Sequence, residues 1–149
     1  MSDSSPLTYT IAAGLGWFTV VFFIASIALA VVLGYLQTIG ISLPSTGLGV
    51  GIYAGVVAAA GQRFSSKREW TGRDRNLLAL GYTLIAGTLS CVFSAAVFFI
   101  DPTMAEMFGS LRGILAVAIV IALMLLIYFV MAWLILMLIA RRRNSEYGQ

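Results

Sequence analysis

Side chains able to do chemistry are scarce in this sequence, and apolar runs separate them. There is no histidine and a single cysteine, Cys91. The missing imidazoles exclude histidine-ligated haem, zinc or copper and any triad that uses His as base. Cys91 has no second thiol to pair with inside the chain and lies in an apolar run, so it reads as a small core residue. A serine nucleophile would need a lysine as base, and no Lys or Asp accompanies Ser90 or Ser94. The glycine-rich stretch at 47–62 lacks the Gly-X-X-X-X-Gly-Lys of a phosphate loop. Met104 and Met107 offer thioethers to a metal, but no other soft ligand stands with them. The expectation is a chain with no catalytic, metal-binding or cofactor-binding residues, and not an enzyme.

Two groupings remain, and both concern association. The first is a ladder of small residues, Gly47, Gly51, Gly55 and Ala59, spaced i, i+4 on one helical face. In water so many glycines oppose a helix, whereas in a bilayer such a stripe lets a neighbouring backbone approach closely. Thr83, Gly87, Cys91 and Ala95 form a second smooth stripe, so the two are expected to pack together within the chain. The other reading makes the glycine ladder an interface to another subunit. The second grouping is basic: Arg63, Lys67, Arg68, Arg73 and Arg75 around Trp70, and the run Arg141, Arg142, Arg143. Such clusters fix topology and suit anionic lipid headgroups or an acidic partner surface.

The elements that must hold these groups follow from composition. The chain has 149 residues, 60% hydrophobic and 10% charged, with mean hydropathy +0.99. Soluble domains carry about 25% charged residues, so this is a single membrane domain. The formal charge of +3 and pI near 9.4 do not point to nucleic acid, because the basic residues lie at the ends of apolar runs.

Hydropathy and breakers predict an all-α membrane protein: four transmembrane helices in a bundle, at about 11–36, 47–62, 77–100 and 111–140. The first span competes with a cleavable signal, for which Ala28-Leu29-Ala30 is a candidate site. Against that, no Lys or Arg precedes the apolar run, and the run is longer than a signal core. Gly40 and Pro44 end it, and Ser45 or Thr46 can cap the next helix. The second span is short and reaches across with Ile41–Leu43 in the interface or with local thinning of the bilayer; a re-entrant segment is the alternative. Residues 63–76 form a basic loop. Asp101-Pro102 closes the third span and opens a short interfacial helix, with Met104, Met107, Phe108 and Leu111 on its apolar face. The fourth span is rich in Leu, Ile and Val and is expected to face lipid. Thr19, Ser26, Thr83, Thr88, Ser90 and Ser94 read as packing hydroxyls that bond back to their own helix or across to another.

With four spans, Arg112 alone among the nine Lys and Arg residues falls on the side opposite the basic loop and the arginine run. The positive-inside rule then puts both termini and the loop in the cytoplasm. Tyr9, Trp17, Trp70, Tyr82 and Trp133 fall in the cytoplasmic half, with Tyr35 near the outer boundary. No charged residue interrupts the apolar core of a span, which argues against a pump or proton-coupled carrier.

Leu43-Pro44-Ser45, Ala58-Ala59-Ala60-Gly61-Gln62-Arg63-Phe64, Gly72-Arg73 and Ala79-Leu80-Gly81-Tyr82 together resemble a family of uncharacterised small four-span inner-membrane proteins of proteobacteria. The likeness covers roughly the first two thirds of the chain. Asp74-Arg75-Asn76 stand where that family's pattern continues with Pro-Thr and an acidic residue. The resemblance implies a bacterial inner-membrane location and a topology, not an activity. A fainter likeness is to the ATP synthase protein I group, which shares four spans, a glycine-rich second helix and a basic cytoplasmic loop. That group is implicated in rotor-ring assembly. The expected function is a non-catalytic accessory or assembly subunit of a larger bacterial inner-membrane complex, partnered by other integral subunits or by itself. The alternative is a small homo-oligomeric transporter or channel lined by hydroxyls.

Overall fold

A computed structural model describes residues 6–41, 45–65, 71–100 and 110–147, with side chains over 11–41, 47–65, 71–93 and 110–142. It is all-helical. The described helices are α1 (Pro6–Thr38), α2 (Ser45–Ser65), α3 (Gly72–Ile100) and α4 (Leu111–Tyr147). The interfacial helix expected after Asp101 lies outside the described residues.

Local chemistry sets the boundaries. α1 ends in a glycine cap: Gly40 has φ +80°, its N–H donates to Gln37 O at 3.1 Å, and Ile41 N–H donates to Leu36 O at 2.9 Å. Only glycine takes that left-handed position without cost, so Gly40 is the stop signal the sequence indicates. α3 starts earlier than hydropathy suggests, because Thr71 and Asp74 cap it reciprocally. Asp74 N–H donates to Thr71 Oγ1 at 3.2 Å, and Thr71 N–H donates to Asp74 Oδ2 at 3.1 Å. Arg73 and Arg75 are therefore helical, and Arg63 is helical at the end of α2. The expected basic loop at 63–76 contracts to the segment between α2 and α3. Ser110 caps α4 by accepting from Gly113 N–H at 3.1 Å.

Three helices are long and apolar enough to cross a membrane: Ile11–Thr38, Gly72–Phe93 and Leu111–Arg142. The chain is thus a helical membrane protein. α2 is not among the three, because its glycines, Tyr53 and the polar end at Gln62-Arg63 lower its hydropathy.

α1 packs beside α2 and α3, and α4 packs beside the same two. α2 and α3 therefore face each other across one diagonal. Phe64 late in α2 covers Gly14 early in α1, so those two are antiparallel, as a short connection requires. Leu15 meets Gly81, and Phe23 stacks beside Phe93 at 6.1 Å, so α1 and α3 run parallel. Gly87 meets Leu125 and Asn76 meets Trp133, so α3 and α4 are antiparallel.

The core gathers in one half of this arrangement. It is built from Phe18 and Phe22, from Tyr53, Val56, Val57 and Ala60, from Leu78, Ala79, Tyr82 and Ala86, and from Tyr128, Ala132 and Leu136. Each set repeats at three- and four-residue spacing, as one helical face must. No described residue of α1 after Phe22 is buried, and none of α4 before Tyr128. Leu115, Ile119, Leu123, Leu126, Leu134 and Leu138 of α4 are exposed, which matches the lipid-facing expectation.

Candidate functional site

Three features could carry function: the small-residue stripe, the aromatic centre and the basic end. The stripe is turned around relative to expectation. Gly47, Gly51, Gly55 and Ala59 are all exposed. A methyl group added at Gly47, Gly51 or Gly55 would meet nothing within 4 Å among the described residues. Their expected partner stripe is split. Thr83 is buried, Gly87 lies close against Leu125 of α4, and Cys91 is exposed rather than a core residue. Ala95 is helical, and its side chain lies outside the described set.

The physical reason lies in the tyrosines. Tyr53 sits on the face of α2 opposite the glycines, and its hydroxyl would be unsatisfied in lipid hydrocarbon. Turning that face inward buries Tyr53 fully and leaves the glycines outside. Across the diagonal, Tyr82 of α3 is also fully buried, and Tyr128 of α4 nearly so. These large rings hold α2 and α3 apart, so no glycine seam can form between them. Close approach occurs instead at Gly14, Gly81 and Gly87, where Phe64, Leu15 and Leu125 fill the space a side chain would need.

The aromatic centre is tightly stacked. Phe18 lies on Tyr82 with centroids 4.3 Å apart, and Tyr53 lies on Tyr128 at 4.4 Å. Phe18 and Phe22 each meet Tyr53 edge-on at 6.0 Å. Thr83 donates to Ala79 O at 2.8 Å, so its oxygen is left to accept from the Tyr53 hydroxyl at 3.4 Å. The Tyr82 hydroxyl is buried and has no hydrogen-bond partner among the described residues. Thr19 and Ser26 donate to their own helix, to Leu15 O and Phe22 O at 2.7 Å each, as expected for packing hydroxyls.

The basic end is organised by two Arg–Trp pairs. The Arg63 guanidinium of α2 lies 5.4 Å from the ring centroid of Trp17 on α1. The Arg75 guanidinium of α3 lies 5.1 Å from the ring centroid of Trp133 on α4. Trp133 is oriented by its indole N–H, which donates to Asn76 Oδ1 at 3.1 Å. Arg73 is exposed on the first turn of α3, and Arg141 and Arg142 are exposed further along α4. The side chain of Arg143 lies outside the described set, as do Lys67, Arg68 and Trp70. Charge patterning alone places Arg63 and Arg75 in the loop and does not show their tryptophan partners or the role of Asn76. The available signal was Trp17 and Trp133 on neighbouring spans at the basic level. Tyr53, Tyr82 and Tyr128 were legible too, since a mid-span tyrosine needs an inward-facing partner.

Compared with protein-family models, with curated proteins and with solved structures, the chain matches none.

Proposed function

We propose that this chain is a non-catalytic accessory or assembly subunit of a larger bacterial inner-membrane complex, docking through the exposed face of α2. In this reading α2 is a fourth span, and both termini lie in the cytoplasm with the basic end. One observation carries it: Gly47, Gly51 and Gly55 point away from the chain's own core into open space. Glycine in a helix costs about 1 kcal/mol per residue relative to alanine, and nothing among the described residues repays it. A second transmembrane helix laid on the stripe would, through close backbone packing.

The test is Gly51→Ile with Gly55→Ile in the native membrane. The expected outcome is a chain that keeps its helicity and membrane insertion but no longer co-purifies with its larger complex in mild detergent. A complex of unchanged size and yield would count against the proposal. Transport is the second reading, and stacked rings fill the centre of the single chain. A solute path would then run between copies. Flux in liposomes holding only the purified chain would favour this over the subunit role.

A further inference from the structure

Beyond that role, the basic end has the geometry of a lipid-binding point. Trp133 covers one face of the Arg75 guanidinium, and Asn76 fixes the indole. A guanidinium held by its face keeps its edge for planar acceptors, and phosphate fits that edge in two-point fashion. The Nε of Arg75 is buried and has no hydrogen-bond partner among the described residues. Asp74, its neighbour, is the sole carboxylate among the described side chains, and its Oδ2 accepts from Thr71 N–H and Thr71 Oγ1 at 3.1 and 2.8 Å. Burial of Nε closes that side of the guanidinium, so an incoming phosphate meets the Nη end of the half-buried side chain.

Depth supports the same reading. Beyond Trp133, α4 stays apolar through Ala140 before the arginine run, about 10 Å of helix at 1.5 Å per residue. Below Trp17, the membrane-spanning segment of α1 continues back to Ile11. Arg63 and Arg75 thus stand at a level where the start of α1 and the end of α4 are still apolar. Apolar helix ends suit acyl chains and a cation suits a headgroup, so a lipid satisfies both at once. A soluble acidic protein would meet the apolar helix ends first.

We propose that Arg75, clasped by Trp133, binds the phosphate of an anionic phospholipid seated between α3 and α4. This inference does not depend on the subunit role. The test is native mass spectrometry of the delipidated full chain titrated with phosphatidylglycerol, with phosphatidylcholine and with inorganic phosphate. The expected outcome is a retained phosphatidylglycerol adduct, weaker phosphatidylcholine binding, and no displacement by millimolar phosphate. Arg75→Gln should weaken the adduct about tenfold or more, Arg75→Lys should restore part of it, and Arg73→Gln on the same turn should change it little. Circular dichroism and Trp emission matching the parent chain would show that the Arg75 variants remain folded. Equal lipid retention in folded Arg75→Gln would overturn the proposal, and so would displacement by inorganic phosphate, which marks a small-anion site. Should Arg75→Gln fail to fold, Trp133→Phe serves instead: it keeps the charge but loses the indole clasp, and it should lower retention severalfold. Unchanged retention in that variant would equally overturn the proposal.

Discussion

Replacing Tyr82 with phenylalanine removes one oxygen from the centre of the protein and little else. Tyr82 is fully buried, its ring stacks on Phe18 at 4.3 Å, and its hydroxyl has no hydrogen-bond partner among the described residues. An unpaired buried polar group costs about 1–3 kcal/mol, and phenylalanine preserves the ring contact. Tyr82→Phe should therefore leave stability unchanged or raise it by about 1 kcal/mol. Tyr53→Phe is the matched control with the opposite sign. It removes the hydroxyl donating to Thr83 at 3.4 Å, while Thr83 keeps its own bond to Ala79 O. Side-chain hydrogen bonds inside membrane proteins average about 0.6 kcal/mol, so Tyr53→Phe should cost about that much. Reversible unfolding in mixed micelles, followed by far-UV circular dichroism, resolves such differences when both variants are run beside the parent. A Tyr82→Phe protein destabilised by about 1 kcal/mol or more would refute the reasoning, because it would mean that the hydroxyl has a partner worth keeping.

Other substitutions probe other contacts. Gly87→Leu sets a side chain against Leu125 and should destabilise the fold by about 1–3 kcal/mol, whereas Gly51→Leu, in open space, should not; equal losses in the same unfolding assay would contradict the orientation of α2. Thr71→Ala removes half of the reciprocal cap on α3 and should cost about 1 kcal/mol, read as a lowered unfolding midpoint. With Cys91→Ser as background, Ser66→Cys and Ser145→Cys should react with an impermeant maleimide from the same side of the membrane. Opposite accessibility would sink the four-span topology.

Much of the framework was readable before any coordinates. Gly40 as a stop and the antiparallel return of α2 follow from turn chemistry and loop length, and both are present. The lipid-facing character of α4 follows from its uniform Leu, Ile and Val content. The facing of α2 was misread, because an i, i+4 ladder of glycines shows that a close approach is possible without saying from which side. Tyr53 decides the matter, since a hydroxyl facing hydrocarbon is costlier than a glycine facing it. Residue spacing was similarly silent on which stripe meets which. That depends on α2 and α3 standing across a diagonal, a property of the whole assembly and not of any one segment. The start of α3 was placed too late because hydropathy ignores capping, and Thr71 with Asp74 extends the helix into the polar segment.

The unequal lengths of the helices have a mechanical consequence. The uncharged stretch of α4, Gly113–Ala140, runs over 28 residues, about 42 Å of helix, whereas that of α2, Ser45–Gln62, runs over 18 residues, about 27 Å. If α2 crosses the bilayer, as the proposed function has it, one flank of the molecule asks for a thick membrane and a neighbouring one for a thin membrane. Lipids must tilt and compress around the circumference to follow both, at fractions of a kcal/mol per Å of mismatch. That elastic cost is lowest when a second short-spanning protein shares the thin flank. The thin flank is also the one bearing the exposed glycines, so the bilayer itself would concentrate suitable neighbours on that face before any side chain touches.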